Sequence, residues 1–219
     1  MGQKPFILLV SWQISENVVI YSAYKIRSNR QFQILCVLEL LTEIRLWLMK
    51  WYVTQTIKGK EEKLAENIRQ YIVKNDEDVF IMESEKEYRI RGEWLKGLKP
   101  LFPGYIFIVT AEPKDFNIRL RKKFHTVRLL DVDGEVTPIT DEEQEYLMQL
   151  GGEKHIVNFS KGIKNGDKVE ILSGPFEGYK GEIVDIDRHH RIGKLLIPLM
   201  EKDIKVEIGL EIVEVVNQN

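Results

Sequence analysis

Short strand-like segments separated by glycine turns fill residues 161–219, and this pattern limits what the end of the chain can fold into. Residues 168–171, 181–186 and 194–199 are rich in strand formers, and residues 204–208 alternate between apolar and charged side chains. Turn residues separate these segments at Gly174–Gly178 and Asp187–Gly193. Four or five short strands joined by such turns predict a small closed β-barrel.

Residues 49–152 alternate between strand and helix patterns instead. Residues 51–56 and 105–109 are predicted strands, and the second is apolar enough to be buried on both faces. Leu64, Ile68 and Tyr71 lie on one helical face, and Thr140 with Glu143 predicts a capping box at the start of a later helix. Further predictions are a short strand at 78–82, an exposed loop or hairpin at 83–99, a helix at 115–123 and a strand at 127–130. The pattern predicts an α+β layered domain.

The remaining segments are a linker and an atypical leader. Gly151-Gly152-Glu153-Lys154 is short, polar and glycine-rich, which predicts a linker across residues 153–160. Residues 1–48 have a different composition, and their Leu-rich part, Ile34–Leu48, reads either as an amphipathic helix or as part of an upstream extension before a true start at Met49. We expect Met49–Asn219 to fold and function without the leader.

Composition excludes several classes of function. The formal net charge of -2 argues against a globally basic nucleic-acid binder, and the lone Cys36 excludes an intramolecular disulfide or a cysteine-based zinc site. No apolar run is long enough to predict a membrane span. The sequence lacks a P-loop, a Gly-x-Ser-x-Gly motif and a His-Glu-x-x-His motif, so we predict a protein without catalytic activity, cofactor or metal. A cytoplasmic location fits this cysteine usage.

The barrel segment carries the sharpest motif. Glycines permit positive φ at its turns, a proline fixes the following backbone, and Phe176 can fold into the barrel mouth. The motif resembles the KOW motif, which implies an SH3-like barrel in proteins that work on RNA or the transcription machinery. Its residues are Gly166, Asp167, Val169, Gly174, Pro175, Phe176, Gly178 and Gly181.

A second motif, Leu101-Phe102-Pro103-Gly104-Tyr105, bends the chain directly before the apolar strand. Aromatic side chains held rigidly beside such a bend can accept an apolar partner at low entropic cost. The alternative is that they belong to the core, which we favour for Phe107 and leave open for Phe102 and Tyr105.

With Trp51-Tyr52 before this bend and the KOW motif after it, the chain from about Met49 to Val216 resembles the NusG family. The resemblance implies an NGN-like α/β sandwich domain at 49–152 and a KOW β-barrel domain at 161–219. It also implies a monomeric transcription elongation or antitermination factor that docks on the clamp helices of RNA polymerase. Phe102, Pro103 and Tyr105 would line the docking cavity, and Trp51 and Tyr52 would support its floor.

The charged stretch 88–94 is closer to the specialised antitermination paralogues LoaP and RfaH. The KOW domain would contact nascent RNA, Rho, a ribosomal protein or another factor. The alternative function is a KOW-containing ribosomal or ribosome-assembly RNA-binding protein, although such proteins are usually strongly basic.

Two basic clusters are candidate RNA-binding surfaces, because cations neutralise phosphates and histidine can stack on an unpaired base. The alternative, which we favour for each cluster, is a solvated helix end for the first and a solvated hairpin tip for the second. The first cluster is Arg119, Arg121, Lys122, Lys123 and Arg128, and the second is Arg188, His189, His190 and Arg191.

Overall fold

The computed structural model describes residues 11–14, 17–20, 49–74, 76–165, 168–179 and 183–215. The chain divides into two compact units, Met1–Trp47 and Leu48–Asn219. In the first unit, strands β1 (Ser11–Ile14) and β2 (Asn17–Ile20) form an antiparallel pair. The helix predicted over Ile34–Leu48 lies outside the described residues.

The second unit begins with a mixed α+β region, as the sequence predicts. Its elements in chain order are β3 (Lys50–Gln55), α1 (Glu61–Tyr71), β4 (Asp78–Phe80), β5 (Glu83–Ile90), β6 (Glu93–Pro100), β7 (Tyr105–Thr110), α2 (Pro113–Phe124), β8 (Asp131–Val132), β9 (Glu135–Val136), α3 (Asp141–Gly151), a 3-10 turn (Gly152–Lys154) and β10 (Ile156–Val157).

Strand β7 lies at the centre of an antiparallel sheet with the order β3-β7-β4. Successive side chains of a strand point to opposite faces, and here both faces are covered. Ile106 and Ile108 pack against α1 and α2, whereas Phe107 faces a second core that contains Trp51 and Phe80. The near-continuous apolar run in the sequence therefore reflects burial on both sides of this strand.

A second sheet has the order β10-β5-β6, and β10 pairs parallel with the start of β5. The segment predicted as an exposed loop or hairpin is thus a regular hairpin. The predicted linker is more ordered than its glycines suggest: Gly151 ends α3, and the chain passes through the 3-10 turn into β10.

Helix α3 begins with the predicted capping box. The Glu143 amide donates to Thr140 Oγ1 at 3.1 Å, and the Thr140 amide donates to a Glu143 carboxylate oxygen at 2.8 Å. The strand predicted at 127–130 is wrong, since Leu129 forms only an isolated bridge to Thr54. Its amide donates instead to the Asn117 side chain, so the segment packs beside β3 without extending the sheet.

The C-terminal region is a five-stranded sheet with the order β12-β11-β15-β14-β13. Leu195, Ile197 and Leu199 alternate into its core from β14, and Val206, Ile208 and Leu210 from β15. Among the described helices, none is both long and apolar enough to cross a membrane. The strands are β11 (Ser160–Asn165), β12 (Lys168–Ser173), β13 (Ile183–Asp187), β14 (Ile192–Leu199) and β15 (Lys202–Val215).

Candidate functional site

The bend before β7, which we call the Pro-Gly turn (Leu101–Tyr105), is held by hydrogen bonds on several sides. The Thr56 amide donates to the Gly104 carbonyl at 2.8 Å, and the Tyr105 amide donates to the Phe102 carbonyl at 3.0 Å. The Gly104 amide donates to a carboxylate oxygen of Glu61 at 2.6 Å, and this glutamate is only 3% exposed. Gly104 has φ 91° and its position for a Cβ lies 3.1 Å from the Thr56 carbonyl, so glycine suits both the conformation and the space.

The Pro-Gly turn separates the aromatic side chains into buried and accessible ones. Phe102 is 1% exposed and packs edge-on against Phe107, with ring centroids 5.8 Å apart. Pro103 is exposed and Tyr105 is half-buried, with its ring 6.5 Å from that of Phe102. Of the predicted docking residues in this turn, Pro103 and Tyr105 present surface, and Phe102 supports them from the core.

Trp51 and Tyr52 lie on opposite faces of β3. Trp51 packs edge-on against Phe80 and Phe107 in the core beneath Phe102. Tyr52 belongs to the other core, beneath helices α1 and α2, where burial raises the pKa of its hydroxyl. Trp51 therefore supports the turn through Phe107, whereas Tyr52 contributes to the opposite layer.

Two residues near this site do not stand out in the sequence. Ile57 is 78% exposed and follows Thr56, whose amide donates to the Gly104 carbonyl, so an apolar side chain is exposed to solvent beside the Pro-Gly turn.

His155 is the second of these residues. It stacks on Phe80 with ring centroids 3.6 Å apart and meets Trp51 edge-on at 5.4 Å. Desolvation lowers the pKa of His155 despite the nearby Asp78, and its Nδ1 has no hydrogen-bond partner among the described residues. The sequence could have indicated Ile57, because it is an isolated apolar residue between Thr56 and Lys58, but it contains no comparable signal for His155.

The C-terminal five-stranded sheet (β11–β15), which we call the barrel after the predicted fold, packs against the β5–β6 hairpin through charged contacts. Lys86, whose side chain is 8% exposed, pairs with Glu207 at 2.9 Å. Arg191 pairs with Glu87 at 2.6 Å and with Glu211 at 3.0 Å, and its guanidinium lies 4.1 Å from the centre of the Trp94 ring. Across α3, the Met200 amide donates to Glu143 at 2.7 Å.

The first predicted RNA cluster divides in the structure. Arg119 is held by Glu77 at 2.6 Å, by Asp115 at 3.0 Å and by the Ile72 carbonyl, so its guanidinium joins α2 to the rest of the domain. Arg121, Lys122 and Lys123 are exposed at the end of α2, with Lys123 over the Tyr71 ring at 4.2 Å. Arg128 is exposed in the segment after that helix.

The second predicted cluster forms the turn between β13 and β14. Arg188, His189 and His190 are exposed there, and His190 bonds Asp187 through its backbone amide at 2.9 Å and its ring at 2.7 Å. The backbone hydrogen bond from His190, followed by the one from its side chain, lowers the pKa of Asp187. Arg191 differs from its neighbours because it faces the β5–β6 hairpin.

The described part of the KOW-like motif forms a tight, packed turn. Gly174 has φ 105° and its Cβ position lies 2.6 Å from Ser160 Oγ, so a larger residue would collide with β11. Phe176 is 2% exposed, as expected for a side chain folded into the barrel, and packs edge-on against Tyr179. Pro175 and Val169 are half-buried, and Gly178 has φ 69°. Gly166, Asp167 and Gly181 lie outside the described residues. Within the described ranges, no group of His, Cys, Asp and Glu could hold a metal ion.

Comparison with known proteins gives consistent matches over this second unit. The family model described as transcription termination factor nusG matches residues 49–148, and the KOW motif model matches residues 165–196. NusG of Thermus thermophilus is 23% identical over 73% of this chain and 95% of its own length. NusG of Borreliella burgdorferi is 28% identical over 75% of this chain and 97% of its own length.

A solved structure concerning domain interaction in Thermotoga maritima NusG is 25% identical, covers 73% of this chain and 93% of its own, and has a TM-score of 0.45. NusG of Escherichia coli is 26% identical over 75% of this chain and 95% of its own length. The NusG sequences of Thermus thermophilus, Borreliella burgdorferi and Escherichia coli are each named transcription termination/antitermination protein. Since the two family models together span more than half of the chain, in the order in which the α+β region and the barrel occur, this chain belongs to the NusG family of transcription elongation and antitermination factors.

Proposed function

We propose that this transcription factor binds RNA polymerase through a docking surface formed by Ile57, Pro103 and Tyr105, and that the polymerase clamp helices occupy it. The observation that carries the proposal is the Pro-Gly turn, whose backbone is fixed from Thr56 and Glu61 while Pro103 and part of Tyr105 remain accessible. A surface that is already ordered loses little conformational entropy when a partner binds.

The buried aromatic residues give this docking surface its rigidity. Phe102, Phe107 and Trp51 pack edge-on in one core, so the turn cannot move without disturbing close-packed rings. In this proposal Trp51 and Phe102 form the floor of the surface, and Tyr52 anchors β3 from the opposite layer.

The KOW barrel supplies a second contact in this proposal, to nascent RNA or to a protein factor such as Rho or a ribosomal protein. The exposed side chains of Arg188, His189 and His190 support it, because they project from a turn that keeps its own shape through Asp187. The protein acts as a monomer in the cytoplasm, as an adaptor with no catalytic step. The charged β5–β6 hairpin supports the further proposal that it is a specialised paralogue of the LoaP or RfaH type.

Substitution of Ile57 by Asp tests the docking surface, with Ile118→Asp as the matched control. Ile118 lies on α2 and is 66% exposed, so the control introduces the same charge at a similarly open apolar position. We expect Ile57→Asp to weaken co-migration with purified RNA polymerase at least tenfold, about 1.4 kcal/mol, and Ile118→Asp to leave it unchanged.

The Tyr105→Ala variant should weaken binding in the same direction, because it removes the half-buried ring at the edge of the surface. Equal affinity of the Ile57 variant and the wild-type protein would contradict this surface. Retention on ribosomal subunits in place of polymerase would favour the ribosomal alternative.

A further inference from the structure

A lysine-rich cleft lies between the Pro-Gly turn and the KOW barrel. It has a volume of about 760 Å³, and its walls include Lys58 and Lys86 from the α+β region and Lys194 and Lys205 from the barrel, against one acidic residue, Glu207. Pro103 and Tyr105 form part of the same wall. The cleft is therefore locally cationic in a chain whose formal net charge is -2.

The four lysines of this cleft are not equally available to a ligand. Lys86 is nearly buried and paired with Glu207, and Lys194 is paired with Asp185 at 2.8 Å. Lys58 and Lys205 form no ion pair with the described residues. The hydrogen bond from Lys194 lowers the pKa of Asp185 and the one from Lys86 lowers the pKa of Glu207, and Lys205 adds to both shifts at longer range. Both side chains are exposed at the cleft, so their charges are open to an incoming anion.

We propose that this cleft binds the phosphate backbone of a single nucleic-acid strand, with a base stacked on the Tyr105 ring. Lysine clusters neutralise successive phosphates, and an aromatic side chain beside them offers a face to any base. Gln55 and Thr56 add polar groups to the wall. The cleft shares Pro103 and Tyr105 with the proposed docking surface, so a bound strand and the clamp helices would compete for the Tyr105 ring. The test below needs no polymerase, because the isolated protein contains the complete cleft.

The test measures fluorescence anisotropy of a labelled twelve-nucleotide oligouridine RNA and of the matching oligothymidine DNA, titrated with the full chain alone. The test variant is Lys58→Gln/Lys205→Gln, and the control Lys63→Gln/Lys114→Gln removes two exposed lysines elsewhere. We expect binding at least tenfold weaker for the test variant and less than twofold weaker for the control. The slope of log affinity against log salt should fall by about 1.4, which corresponds to two phosphate contacts on a single strand.

A second variant, Tyr105→Leu, separates stacking from charge: weaker binding with an unchanged salt slope is expected. Tighter binding of one oligonucleotide than the other identifies RNA or DNA as the preferred strand. Equal losses for the test and control variants, or binding that is lost only when Arg121, Lys122 and Lys123 are reversed, would overturn the cleft assignment. Failure of polymerase docking would leave this result unaffected, since no polymerase is present.

Discussion

Glu61 has a defined task at the scale of a single residue, because its buried carboxylate accepts the Gly104 amide. We predict that Glu61→Ala lowers the free energy of unfolding by about 1–3 kcal/mol, since it leaves that amide without its buried partner. The neighbouring Glu62 is exposed, and its one ion pair within the described part of the chain is with Arg69 on the same helix, so Glu62→Ala should change stability by less than about 0.5 kcal/mol. Urea unfolding of both variants measures these changes in the free energy of unfolding. Equal changes would contradict a specific stabilising role for the hydrogen bond between Glu61 and Gly104.

We predict that His155 makes the free energy of unfolding depend on pH. Burial lowers its pKa below the ordinary value of 6.5, so in acid the unfolded chain takes up this proton before the folded protein does. Stability should therefore fall as the pH drops from about 6.5 towards the folded pKa, and this contribution should be absent in His155→Phe, which retains the ring stack. Unfolding free energies of both proteins at pH 8 and pH 5.5 decide it. Parallel pH profiles would contradict the assignment.

Local sequence patterns predict the elements whose signals are short-range. The α3 capping box depends on residues three apart, and the buried β7 strand follows from one apolar run. Strand β11 has no such signal: its sequence alternates weakly, and it exists because both β12 and the long β15 pair with it. Local sequence does not predict the burial of Phe102 either, because Phe102 joins a core that also contains Trp51 and Leu147, 51 and 45 residues away along the chain.

Charge clusters in a sequence do not reveal their partners either. Arg119 belongs to the densest basic run, yet Glu77, which is 42 residues away along the chain, holds its guanidinium. Arg191 is similarly taken up by Glu87, 104 residues away. RNA binding by the other residues of the two clusters, which are exposed, stays a prediction.

The end of helix α2 is the element that tests this prediction. Reversal of Arg121, Lys122 and Lys123 to Glu should abolish retention of a hairpin RNA, because it replaces three exposed cations with anions. The reversal also places negative charge at the negative end of the helix dipole, so circular dichroism must confirm that α2 persists. A filter-binding titration at matched salt measures retention. Unchanged affinity would show that this helix end is only a solvated surface.

At the scale of the whole molecule, Arg191 joins the barrel to the β5–β6 hairpin through Glu87 and the Trp94 ring. We predict that the double variant Arg191→Ala/Lys86→Ala lets the two regions reorient independently, since it removes both ion pairs to the β5–β6 hairpin and the ring contact together. Backbone ¹⁵N relaxation should then give separate rotational correlation times for the two regions. Arg188→Ala is the control, because that neighbouring side chain is exposed, and it should leave a single correlation time. A single value for both variants would mean that other contacts suffice.

The pairing of β10 with β5 has a consequence for how far the barrel can travel. Only Asn158 and Phe159 separate β10 from β11, and three Cα–Cα steps of about 3.8 Å keep the ends of this joint within about 11 Å of each other. A barrel released from the hairpin would therefore stay close to the α+β region, because this two-residue joint allows much less displacement than a long flexible linker. A ligand captured by the barrel would remain at high effective concentration near the Pro-Gly turn, so occupancy of one region would favour occupancy of the other through geometry alone.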